Sequence, residues 1–169
     1  MLGGENMNYT KIQNDIIKDL IKYPGERESH KRFFIGLARY KSNNNEFIAV
    51  ITQVSIYLIP IDNFYLDFEK ITAKCKDFTP SIEKMLNIKE STQLVFKNDK
   101  TISVDKWTVN IFTGDDLELF INKKYLAYFK DDNCYYRASD PRKALLIYSN
   151  VSDDLIGYIL PINPNFIKK

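Results

Sequence analysis

Apolar residues near the start of the chain recur at helical spacing. Ile12, Ile16, Leu20 and Tyr23 form one stripe, with Ile17 and Ile21 widening it, and predict an amphipathic helix over residues 10–23. Thr10 or Asn8 can cap its start, and Pro24-Gly25 ends it. A charged loop spans 26–32. Apolar-rich runs at 33–40, 46–51 and 54–60 then predict three strands in meander order, joined by the Asn-rich turn 42–45 and the break Thr52-Gln53. Residues 64–68 read as a short strand. Thr79-Pro80 fits the start of a short helix over 81–87. Residues 93–97 and 101–104 read as a hairpin around Asn98-Asp99. Residues 107–112 alternate as a strand, and 117–120 continues the sheet. Asn122 is placed to cap a helix over 123–129. Strands at 133–137, 143–148 and 155–160 close the pattern, with a turn at 150–154.

The expected fold class is α+β: one antiparallel, sheet-rich domain over 9–163 with two main helices on one face. Residues 1–8 read as a flexible lead, 67–99 as an insertion, and 164–169 as a C-terminal tail. No apolar run is long enough to span a membrane, and the start lacks the basic and apolar regions of a signal peptide, so a cytoplasmic protein is expected.

Composition adds little beyond this. Apolar residues are 44% and charged residues 27%, ordinary values for a globular chain, while aromatics reach 14%. The net charge of +2 is too small to imply nucleic-acid binding, so any such surface must come from local clustering. Cys75 and Cys134 stand apart, outside any CxxC pattern, and read as reduced thiols. Catalytic signals are weak. The single histidine, His30, lies in a charged loop. No lysine has an acid two positions before it, which removes an element common in metal-dependent nucleases. The pairs Asp115-Asp116, Asp131-Asp132 and Asp153-Asp154 sit in or beside turns, where turn chemistry explains them. The expectation is no catalytic residue, no metal and no cofactor.

Three segments together resemble a domain of the DNA sliding-clamp family. They are Phe47-Ile-Ala-Val-Ile51 followed by Ile56-Tyr57, then Asp116 to Phe120 followed by Asn122-Lys-Lys-Tyr-Leu126, then Pro141, Leu145-Leu-Ile147 and Ile159-Leu-Pro-Ile162. The resemblance implies a binding role on DNA or replication proteins. A clamp ring needs several such domains, so a chain with one would assemble with itself as a homo-oligomer, attach to something else, or form no ring. In that family the long helices face DNA. Here Lys11, Lys18 and Lys22 fall on one side of the first helix at ~100° per residue, and Lys123 and Lys124 begin the second. Asp15 and Asp19 lie close to the first set, so a solvated helix face is the plainer reading. Clamps also bind partner peptides beside the last strand, where Leu160, Pro161 and Ile162 stand. The leading expectation is a non-catalytic accessory factor from a phage or mobile element of a bacterial host, with a protein partner and with nucleic acid as a further candidate. The alternative is an anti-defence, anti-CRISPR-like inhibitor that blocks a host nuclease effector.

Overall fold

The computed structural model describes residues 5–167; positions 1–4 of the expected lead and 168–169 of the expected tail lie outside the described residues. The fold is α+β and dominated by strands. Ten strands and five α-helices occur among the described residues, and the strands pair mostly antiparallel. The chain divides into two compact units, one of residues 8–88 and the other of residues 5–7 with 89–167. Residues 67–99, expected as one insertion, are shared between them. No helix among the described residues is long and apolar enough to cross a membrane.

The unit of residues 8–88 opens with α1 (Tyr9–Lys22). Asn8 caps it, its side chain accepting the Lys11 N–H at 3.0 Å. The helix ends at Tyr23, ahead of Pro24, and buries Tyr9, Ile12, Gln13, Ile16 and Leu20. Strands β1 (Phe34–Ser42), β2 (Asn45–Thr52) and β3 (Ser55–Pro60) form the expected meander. Asn43 and Asn44 turn the first hairpin at φ of 50° and 67°, the left-handed pair a two-residue turn requires. Residues 47–52 of β2 are all buried, as the unbroken apolar run of that segment demands.

Residues 64–68 do not form the expected strand. Asp67 instead caps α2 (Phe68–Thr72), accepting the Lys70 N–H at 3.1 Å. The chain then returns as β4 (Lys76–Asp77), parallel to β1, before α3 (Ile82–Met85). Gly36 permits this pairing, because a Cβ there would land on the Lys76 carbonyl and the Phe78 ring.

The other unit is an antiparallel array of β5 (Gln93–Val104), β6 (Trp107–Thr113), β7 (Glu118–Asn122), β8 (Cys134–Ala138), β9 (Leu145–Ser149) and β10 (Leu155–Ile159), in spatial order β10-β9-β8-β5-β6-β7. Asn98-Asp99 is not a hairpin turn. The register jumps between Lys97 and Thr101, so the polar residues bulge within one long strand, and the reversal comes at Asp105 with φ 53°.

The second expected helix is shorter than its pattern. Asn122 does cap α4 (Lys123–Leu126), accepting the Lys124 N–H at 3.0 Å. The helix stops because Phe129 forms a bridge with Met7 and the Lys130 N–H donates to the Asn6 carbonyl at 2.9 Å. Among the described residues there is therefore one main helix of 14 residues and four helices of five residues or fewer. Residues 5–7 are also not a loose lead. Met7 is completely buried, and the Asn133 side chain donates to the Glu5 carbonyl at 3.0 Å. After β10 the Ile162 N–H donates to the Phe120 carbonyl at 2.8 Å, and a one-turn helix, α5 (Pro164–Ile167), stands where a tail was expected.

Candidate functional site

An open groove with an apolar lining lies beside α1. Ile17 and Ile21 were expected to widen the buried stripe. Instead Ile21 is 75% exposed and Ile17 38% exposed. The geometry explains this. Ile12, Ile16 and Leu20 already fill the inward side, and at ~100° per residue Ile21 points well away from it. Ile17, Leu20, Ile21 and Pro24 form one wall of an open groove of about 660 Å³. Leu66, Ile71 and Ala73 form the other wall, with Asp67, Lys70 and Lys74 along it.

Two buried polar side chains hold these walls in place. Gln13 is fully buried on α1. Its amide N–H groups donate to the Tyr9 and Asn63 carbonyls, both at 3.0 Å, and its carbonyl accepts the Tyr65 N–H at 2.9 Å. Every polar atom of that amide is used, which fixes the chain just before Leu66. Arg32 is 3% exposed and makes no carboxylate pair among the described residues. It donates to three backbone carbonyls: Tyr23 at 2.8 Å, Gly25 at 3.2 Å and Lys74 at 2.7 Å. The first of these is a carbonyl at the α1 C-terminus, where a cation also meets the negative end of the helix dipole. Arg32 thus ties the end of α1 to the segment after α2. Neither residue had a sequence signal. Gln13 sits among apolar neighbours and Arg32 within a charged run, so only burial shows their task.

The five candidate lysines are all exposed. Lys11, Lys18 and Lys22 run down one outward ridge of α1, spaced about 10 Å and 6 Å along its axis at 1.5 Å per residue. Asp19 does not simply cancel them, because its carboxylate accepts the Phe34 N–H at 3.1 Å. The Lys22 ammonium lies 5.4 Å from the Tyr23 ring centroid. Lys123 and Lys124 stand at the start of α4 in the other unit, with the Lys124 ammonium 5.7 Å from the Tyr125 ring centroid. Of the three candidate partner residues, Leu160 is exposed, while Pro161 and Ile162 are half-buried.

The groups that could do covalent chemistry are dispersed. His30 is exposed on a short 3-10 turn. Burial pushes the Cys75 thiol up to about 11, against the opposing charge of Arg32, and burial likewise lifts Cys134 to about 11. Both are protonated at neutral pH and poor nucleophiles. Asp131 accepts hydrogen bonds from Lys97 at 2.5 Å and from the Tyr136 hydroxyl. Burial alone would raise its carboxyl, but these two bonds and the Lys97 charge outweigh burial and hold it below the usual carboxylate range. Burial, then the Asp131 bond, raises Tyr136. Among the described residues no group of three or more His, Cys, Asp or Glu converges as a metal site would require.

Compared with models of known protein families, with curated proteins and with solved structures, the chain has no significant match. The likeness to a clamp domain rests on the quoted residues.

Proposed function

We propose that this protein acts by binding another protein, without catalysing a reaction, as an accessory factor of the clamp-like kind that its sequence resembles. The observation that carries this reading is the apolar groove beside α1, with Ile21 largely exposed to water at its wall. Leaving such a side chain in solvent gives up about 1.5–3 kcal/mol of burial, which a docked partner recovers.

Nucleic acid is a second reading, supported by a separate observation: the exposed line of Lys11, Lys18 and Lys22 on the same helix. One experiment separates the two. The chain, its Ile17→Asp/Ile21→Asp variant and its Lys11→Glu/Lys18→Glu/Lys22→Glu variant are tested against host replication proteins, host nuclease effectors and DNA over a salt series. The expected result is one protein partner, lost with the isoleucine variant and kept with the lysine variant. Salt-dependent DNA binding lost only with the lysine variant would favour the second reading. If that partner is a nuclease effector whose activity falls on binding, the protein is an anti-defence inhibitor. Retention of every protein partner by the isoleucine variant would overturn the groove reading.

A further inference from the structure

The groove's own chemistry narrows what it can take, an inference that rests on the protein-binding reading above. Its interior is aliphatic, supplied by Ile17, Leu20, Ile21, Leu66 and Ile71. Its charged lining is two lysines and one carboxylate, Lys70, Lys74 and Asp67. The Asp67 carboxylate already caps α2. Lys70 and Lys74 are exposed and make no ion pair among the described residues. Lys70 lies on α2 and Lys74 in the turn that follows it, where the Lys74 N–H donates to the Ile71 carbonyl at 2.9 Å, so the two stand about one turn apart. Lys18 and Lys22 lie on the adjoining ridge of α1. An incoming segment therefore meets an apolar floor and a cationic edge.

We propose that the groove receives one face of a short amphipathic helix from the partner protein, with two acidic residues one turn apart that pair with Lys70 and Lys74. Three features select this occupant. A helix supplies apolar anchors at i, i+3 or i+4, and i+7 in one line, which suits a trough walled by α1 and α2. Carboxylates four residues apart on such a helix lie one turn apart on one flank, where both can reach the two lysines. The groove is also open to solvent. A small apolar ligand would keep its outer surface in water, whereas the outer face of an amphipathic helix is polar and tolerates it. Arg32 and Gln13 hold the walls apart before the partner arrives, so little ordering is left to oppose binding.

The test is selection from a displayed library of helical peptides. The apolar anchors are fixed and the flanking positions are randomised to Glu, Lys, Ser and Gln. Selection is made on the intact chain and counter-selection on its Ile17→Asp/Ile21→Asp variant. The expected winners carry two Glu one turn apart on one flank. Fluorescence anisotropy of a winning peptide should show binding at least tenfold weaker to a Lys70→Glu/Lys74→Glu variant, and recovery when the peptide's Glu pair is changed to Lys. All four positions except Ile17 are well exposed, and thermal melts followed by circular dichroism verify that each variant folds. Winners without acidic bias, no recovery on charge exchange, or no winner at all would overturn the proposal. If it fails while a natural protein partner is still lost with the isoleucine variant, the protein-binding reading stands and only the acidic-helix chemistry falls. If the isoleucine variant changes neither result, both fall.

Discussion

Asn110 is a residue whose surroundings ask for a different side chain. It is 4% exposed on β6, and its side-chain oxygen has no hydrogen-bond donor among the described residues. An orphaned buried acceptor keeps its desolvation cost of about 1–3 kcal/mol without return. Asn110→Leu, similar in shape and apolar, should raise unfolding stability by about 1 kcal/mol in a urea titration. Unchanged or lower stability would mean that the amide serves a purpose not visible in its bonding. Asp131 gives a prediction with a defined sign. Its folded pKa is lowered, so the stability it contributes is present above the unfolded value of about 3.9 and is lost as pH falls through the folded value. Stability measured from pH 6 down to pH 2 should therefore fall less steeply in Asp131→Asn than in the native chain. Its half-exposed side chain keeps the effect modest through solvent screening.

Elements here are fixed by polar contacts as much as by apolar pattern. The α1 stripe was legible because Ile12, Ile16 and Leu20 repeat every four residues, and its cap at Asn8 was one of two candidates in the sequence. The role of Ile17 and Ile21 was not legible. Periodicity says which residues are apolar, but not how wide a stripe the neighbouring elements cover. The same holds for α2, where Asp67 as a cap overrode the apolar residues that suggested a strand. Arg32 joins two of these elements through three carbonyls. Arg32→Met keeps most of the volume and removes every donor. It should cost about 3 kcal/mol, because the carbonyls lose a charged donor inside the fold. The check pairs chemical denaturation with backbone amide exchange, which should speed up at Tyr23, Lys74 and Cys75 more than in β2. Uniform acceleration would argue against a local clip.

At the scale of the whole molecule the chain start belongs with the second half of the sequence. Met7 is completely buried and bridges to Phe129, and Asn6 accepts the Lys130 N–H. Met7→Ala should cost about 2–5 kcal/mol, as removal of a buried methionine side chain does. The single tryptophan, Trp107, lies on β6 of the same unit and reports its unfolding by fluorescence. A loss below about 0.5 kcal/mol would show that the start contributes little. The sequence by itself determined the strand-rich α+β class, the meander after α1, the turn at 42–45 and the Asn122 cap. Each of these depends on the local backbone preferences of a few neighbouring residues. The tertiary structure decided the early end of α4, the bulge in β5, the placing of residues 5–7 and the groove. Those depend on which distant segments come together, such as Met7 with Phe129 or Arg32 with Lys74, and no spacing along the chain records such a meeting.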